Sequence, residues 1–198
     1  MTVEYKYQWD ETRQYPSIET ERLILRGFEN EDAGEVQRLA GDKAIASTTL
    51  RIPHPYEDGV AEKWIGTHHE DFEQGKVVDF AITERKAGYL IGAIGLTINK
   101  EHENAELGYW LGRQYWNKGY CTEAAKAVLR YGFEELGLNR IQAQHFKRNA
   151  ASGRVMRAIG MLYEGRLRQH LKKWNKFEDV EVYGILKAEY EATKVFKL

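Results

Sequence analysis

The chain holds one cysteine, three prolines and no long apolar run. Each shortage excludes something. Cys121 alone cannot close an internal disulfide, so the disulfide-stapled scaffolds of small secreted domains are ruled out and a reducing compartment fits. No stretch approaches about 18 consecutive apolar residues, so no membrane span is expected. The opening MTVEYKYQWDE lacks the apolar segment of a secretory leader. An excess of one charge is missing too: 29 basic residues face 30 acidic ones, for a net charge of −1. The molecule as a whole is therefore not a polyanion binder. Neither phosphate-binding pattern, G-x-x-x-x-G-K-[ST] or G-x-G-x-x-G, occurs. Nor does C-x-x-C or H-E-x-x-H, and the adjacent His68 and His69 point different ways on a helix, so no metal is expected. Repeats, low-complexity tracts and Pro/Ser-rich linkers are absent.

What remains is an ordinary globular composition, 42% hydrophobic and 30% charged over 198 residues. That length suits one domain with a real core, expected in the cytoplasm. Residues 1–17 are polar, aperiodic and dotted with Tyr5, Tyr7, Trp9 and Tyr15; they form an expected N-terminal extension, with the domain over 18–198. The segment 21–28 alternates apolar and charged side chains, as a half-buried strand does. Residues 31–40 and 58–74 have helical spacing, the second closed by Gly75. Strands are expected at 77–83 and 89–98, joined as a hairpin, and at 105–111. A helix follows over 120–136, ended by Gly137. Then come a strand at 140–146, a helix at 149–159 stopped by Gly160, and strands at 161–169 and 180–187. The order β-α-α-β-β-β-α-β-α-β-β predicts an α+β fold around a mostly antiparallel sheet. Residues 47–57 and 167–177 are expected as loops that shape a cleft.

The densest information lies between 105 and 133. A short apolar strand runs into the turn Gln114-Tyr-Trp-Asn117-Lys118-Gly119, which opens a long helix near Tyr120. The first amides of a helix lack intrahelical partners, and the aligned peptide dipoles leave partial positive charge there, so the turn is a ready anion site. Gly119 lets backbone approach a ligand closely, and Asn117 accepts left-handed geometry. Lys118 can add a charge-assisted phosphate contact. An ordinary strand-to-helix turn would also tolerate these residues. A second helix start, Asn149-Ala-Ala-Ser152-Gly-Arg154-Val, has Asn149 as N-cap and Ser152 on its first turn.

Together these segments resemble the GNAT N-acetyltransferases. The family's loop is Q/R-x-x-G-x-G/A, and Gln114-x-x-Asn117-x-Gly119 matches it with Asn in place of the first Gly. ETERLILR, AELGYWL, YWNKGYCTEA, NAASGRV and LRQHLKK…EDVEVYGIL look most like the branch that acetylates N-terminal residues of ribosomal proteins. The resemblance spans about residues 18–190. It implies the GNAT fold, with splayed central strands, acetyl-CoA as donor and a primary amine as acceptor. On that basis backbone groups of Leu107, Tyr109 and Leu111 would pair with the pantetheine arm. Amides of Gln114, Asn117, Lys118, Gly119 and Tyr120 would hold the pyrophosphate, and Asn149 the pantetheine; Arg154, from the basic 147–176 segment, is expected to reach a phosphate. Ser152 would sit near the thioester sulfur.

The reaction needs a base, because an ammonium cannot attack a thioester. Glu106, at the start of the cleft-lining strand, is the first candidate, with His145, His170 and ordered water as rivals. For the leaving thiol, many family members use a tyrosine where this chain has Met156, so Ser152 is the substitute. Cys121 is expected to pack as a small residue rather than to act as a nucleophile. Trp64, Trp110 and Trp116 are either core or a wall of the acceptor site. From Lys147 to Lys176 nine basic residues face one acid, Glu164. That segment is either a solvated face with counter-charges from elsewhere in the fold or a field for a phosphorylated ligand. Direct nucleic-acid binding is not expected, since only Trp174 and Phe177 nearby suit base stacking. The expected partner is an acceptor amine, foremost a protein N-terminus; a polyamine, aminoglycoside or amino acid is the alternative, and a CoA-binding module without turnover is the reading from another class. Monomer and homodimer both stay open.

Overall fold

The computed structural model describes residues 15–195 of the chain. Tyr5, Tyr7 and Trp9 lie outside the described residues. Eight strands make one sheet: β1 (Ile18–Glu19), β2 (Leu23–Arg26), β3 (Val77–Glu84), β4 (Leu90–Asn99), β5 (Asn104–Leu111), β6 (Arg140–Phe146), β7 (Leu162–Lys173) and β8 (Lys176–Leu186). Their spatial order is β1-β2-β3-β4-β5-β6-β8-β7. Every neighbouring pair is antiparallel except β5 and β6. The helices are α1 (Ala33–Ala40), α2 (Lys43–Thr48), α3 (Val60–Gly66), α4 (His68–Glu73), α5 (Tyr120–Glu134), α6 (Ala150–Ala158) and α7 (Lys187–Val195). The α+β expectation, a mixed and mostly antiparallel sheet flanked by helices, is what forms.

Side chains alternate along the strands, so each face of the sheet gathers its own layer. Val78, Phe80 and Ile82 of β3 point with Ile94 and Leu96 of β4 toward α5, where Val128, Leu129 and Phe133 complete the main core. Burying each such side chain contributes about 1.5–3 kcal/mol. On the opposite face Ala81 and Trp110 meet Val36 and Leu39 of α1 and Ala61 and Ile65 of α3. Tyr15 joins the main layer: its ring packs on Phe72 at 4.5 Å, and its hydroxyl donates to the Asp79 carbonyl at 2.6 Å.

Several expected elements change. The helix over 58–74 is two helices. The Thr67 hydroxyl donates to the Trp64 carbonyl, a side-chain bond that competes with helix propagation beside Gly66. The short helix α2 is unforeseen; Asp42 caps it through the Ala44 amide, and Ser47 and Thr48 hydroxyls bond back to earlier carbonyls. Neither β1 nor α7 is anticipated. The expected loop at 167–177 is mostly β-hairpin: Lys173 pairs with Lys176, and Trp174 (φ 46°) and Asn175 (φ 63°) make a two-residue turn. Its strand β7 is exposed on both faces, so no apolar alternation marks it.

The decisive feature lies in the middle of the sheet. β5 and β6 pair only at Asn104, Ala105 and Glu106 with Arg140, Ile141 and Gln142. Beyond Glu106 the two parallel strands pair no further, which leaves the backbone of 107–111 unpaired on that side.

Candidate functional site

One cavity of about 1000 Å³ occupies this opening and continues across the sheet face under α1, α3 and the 47–57 loop. Its donor end is built by the strand-to-helix turn. Asn117 takes φ 59° and Gly119 φ 80°, both left-handed, as their residue types allow. The first intrahelical bond of α5 runs from the Glu123 amide to the Gly119 carbonyl. The amides of 117–122 therefore have no backbone acceptor among the described residues, and the cavity wall includes Asn117, Gly119, Tyr120, Cys121 and Thr122. A fan of free N–H groups at a fifteen-residue helix is an anion-binding surface.

Residues outside the motif hold this turn. Glu123 accepts bonds from the Thr20 hydroxyl at 2.7 Å and from the Arg22 amide and Nε at 2.8 and 2.7 Å. Burial alone would raise its pKa; those three donors outweigh it and hold the carboxyl below its usual range. Arg22 also donates to the Lys118 carbonyl and stacks over Tyr120. Sequence reasoning missed Arg22. The two residues lie 101 positions apart in the chain, and only the ERL segment of the family pattern marked that strand.

Most sequence-selected residues converge on the cavity: Glu106, Leu107, Tyr109 and Leu111 from β5, and Asn149, Ser152 and Arg154 from the start of α6. Asn149 caps α6, and its Nδ2 donates to Ser152 Oγ at 3.0 Å. The Tyr109 hydroxyl donates to the Ser152 carbonyl at 3.2 Å, and burial pushes this phenol's pKa up. Two selected residues lie elsewhere. Gln114 is exposed on a 3-10 turn, and Lys118 is exposed with Nζ above the Tyr115 ring; neither side chain lines the cavity.

The rivals for the base also separate. His145 is buried against α6, where its Nδ1 bonds the Phe146 carbonyl at 2.8 Å; its ring occupies space that a Cβ on Gly153 would invade. His170 opens onto a smaller neighbouring depression, on the far side of Gln144. Glu106 borders both spaces and accepts from Gln144 Nε2 at 3.0 Å, across the divergence of β5 and β6. Cys121 is half-buried on the cavity wall, and desolvation pushes its thiol up to about 12, so the thiolate a nucleophile requires is disfavoured. Trp64, Trp110 and Trp116 all face the cavity. Three of the nine basic residues of the 147–176 segment meet acids of β8: Arg148 and Lys176 meet Glu178 at 3.0 and 4.0 Å, and Arg166 meets Glu181 at 3.2 Å, while Glu164 pairs outside the segment with Arg140. No cluster of three or more metal-ligating side chains is found among the described residues, and no described helix is long and apolar enough to cross a membrane.

A sheet split between two parallel central strands, with an amide-lined turn at one side, is the arrangement expected of the CoA-dependent acyltransferases that the sequence resembles. Comparison with known proteins narrows that class. The family described as "Acetyltransferase (GNAT) domain" matches residues 22–162. "Uncharacterized N-acetyltransferase p20" of Bacillus licheniformis is 33% identical over 176 residues, 88% of this chain and 98% of that protein. "Putative ribosomal N-acetyltransferase YdaF" of Bacillus subtilis is 36% identical over 108 residues, 54% of this chain and 59% of that protein. A solved GNAT-family acetyltransferase from Bacillus anthracis superposes with a TM-score of 0.77 at 30% identity, covering 87% of this chain and 99% of that one. The chain belongs to the GNAT acetyltransferase family, and acetyl-CoA is its donor.

Proposed function

We propose that this chain moves the acetyl group of acetyl-CoA onto a protein N-terminal α-amine in the cytoplasm. The observation that carries the proposal is the continuity of the cavity, from the free amides ahead of α5 to Glu106 and on across the sheet face. Donor and acceptor can then meet in a single space. The amides of 117–120 would hold the pyrophosphate, with Arg154 at the rim. The unpaired β5 edge at Leu107, Tyr109 and Leu111 would align the pantetheine as an added strand, with Asn149 bonding it. Glu106 would take the proton of the incoming ammonium, directly or through water. The amine nitrogen then bonds the thioester carbon, the oxyanion is met by a β5 backbone N–H, and the carbon–sulfur bond breaks as the nitrogen's surplus proton passes to the departing sulfur, giving amide and free thiol. Because Asn149 donates to Ser152 Oγ, the serine proton stays uncommitted and can bond that sulfur.

The protein N-terminus is favoured by the family branch that the motifs resemble and by the relative named for ribosomal N-acetylation. A small cationic amine is the second reading, favoured by the acids Asp71, Asp79 and Glu106 on the cavity wall. Thiol release with acetyl-CoA tests both readings: Ala- and Ser-initiated peptides are expected to turn over with higher kcat/KM than polyamines or aminoglycosides. Turnover confined to the small amines would overturn the first reading. No turnover with any amine, despite tight CoA binding, would leave only a binding module.

A further inference from the structure

The register of the sheet defines the acceptor floor. Asp79 of β3, Gly95 of β4 and Gly108 of β5 are successive partners across three strands. All three lie on the face that looks toward α1 and α3. The next row is Val77, Thr97, Glu106 and Gln142. At Gly108 a Cβ would meet nothing within 4 Å, so the floor there is open backbone. At Gly95 a Cβ would collide with Asp79 Oδ1, so the carboxylate leans over that strand toward β5.

No hydrogen bond from a described residue reaches this carboxylate; its one close polar contact is His68. Among the described residues no donor bonds either Asp79 oxygen; the bonds recorded at this residue use its backbone, which exchanges two with the Tyr15 hydroxyl. Its side chain is 24% exposed and lines the cavity. Behind it stands His68, 5% exposed, with neither ring nitrogen hydrogen-bonded and Nε2 pointing at Asp79 Oδ2 from 3.5 Å. Trp64 and Phe28 enclose that ring edge-on. Asp71 shares the cavity wall, and Arg51 on the roofing loop is the opposing charge. A buried ring without a hydrogen bond, aimed at a carboxylate that also lacks one, marks a polar site that a ligand completes.

Resting on the reading of this cavity as the acceptor site, we infer that Asp79 is a specificity residue: it receives a second positive charge on the acceptor, beyond the nitrogen that is acetylated. The reacting amine lies at the β5–β6 split beside Glu106. Two interstrand spacings separate that strand from Asp79, so the second charge lies roughly 5–10 Å from the reacting nitrogen. The substrate class is therefore a dication: a diamine, or a peptide whose second or third residue is Lys or Arg. A single ammonium satisfies Glu106 and leaves the half-buried Asp79 carboxylate without a cation.

The test uses acceptor pairs that differ in one charge: 1,4-diaminobutane against butylamine, and Ser-Lys-Ala-Ala against Ser-Ala-Ala-Ala and Ser-Glu-Ala-Ala. Thiol release is followed in wild type, Asp79→Asn and Glu106→Gln. Wild type is expected to favour the more cationic member of each pair by 10-fold or more in kcat/KM, mainly through KM. Asp79→Asn should erase that ratio, change the less cationic acceptors under threefold, and leave the KM for acetyl-CoA unchanged. Glu106→Gln should lower kcat for every acceptor alike. No wild-type preference, or a preference that survives Asp79→Asn, overturns the inference. Should Asp79→Asn not fold, Asp79→Ser carries the same comparison. Dication preference among diamines with no peptide turnover sinks the protein-N-terminus reading and leaves Asp79 standing; peptide turnover indifferent to charge does the reverse.

Discussion

At the scale of single residues the site separates two tasks. Gly119 and Asn117 shape backbone, while Glu106 is the proposed base. Gly119 sits at φ 80° with the Arg22 guanidinium 3.3 Å from where a Cβ would stand. A β-branched side chain there meets both strain and collision. Gly119→Val is therefore expected to raise the KM for acetyl-CoA at least 10-fold, measured by thiol release at saturating acceptor; an unchanged KM would remove the turn from the donor site. Glu106→Gln keeps the shape and the Gln144 contact but removes the proton acceptor. A kcat loss of about 10²-fold is expected, with little change in donor KM. Wild-type rates across pH would transfer the role to water or a histidine. The placement of both residues at the cavity was legible in the sequence, because a glycine before a helix and a glutamate beginning an apolar strand are local signals. Asp79 was not. In the sequence it is one acid in an expected strand, and its meaning depends on Gly95 and Gly108, which become neighbours only through strand pairing.

At the scale of elements, α5 is where local pattern and distant support meet. Its start was read from the Gly119 turn, and its end, at Glu134, came two residues short of the expected Leu136. What the pattern did not contain is the clamp from the β1–β2 corner. Thr20 and Arg22 fix Glu123 in the first turn of the helix. Losing charge-assisted bonds of this kind costs about 1–3 kcal/mol at a partly buried site. Glu123→Ala is thus expected to lower the urea midpoint and to raise the acetyl-CoA KM, because the amide fan loses its anchor. A stability loss with donor KM unchanged would show that the clamp is structural only. The β7–β8 hairpin shows the opposite failure of reading. The strand expected at 161–169 forms, but it runs on to Lys173 through residues expected as a loop, because pairing with β8 rather than any apolar alternation extends it. The tip of the hairpin then braces the roof of the cavity, with Lys173 Nζ donating to the Leu50 and Ile52 carbonyls at 3.0 and 2.8 Å.

At the scale of the whole molecule, stability should respond to pH through the His68–Asp79 pair. Burial holds the His68 pKa down at about 4, with Asp71 pulling the other way. Between pH 6.5 and 4 the unfolded chain binds this proton and the folded chain does not, so stability falls on acidification, by up to about 3 kcal/mol. Burial pushes Asp79 up to about 6, aided by Asp71 and opposed by Arg51. Over pH 4–6 the folded chain holds that proton more tightly than the unfolded chain, so this contribution is present at low pH and lost as pH rises. The two slopes oppose each other. Asp79→Asn removes the second and should steepen the loss of stability between pH 6.5 and 4, read from urea midpoints at pH 7, 5.5 and 4.5. Parallel profiles for variant and wild type would show that the pair is not set as described. Strand and helix periodicity and the left-handed turn before α5 were determined by the chain's local order, because each depends on residues within a few positions of one another. The split between β5 and β6, the clamp on Glu123, and the placing of Asp79 opposite an open glycine floor were decided by tertiary structure. These depend on which strands lie side by side and where their hydrogen bonding stops, and contacts between residues tens of positions apart leave no periodic trace in a linear sequence.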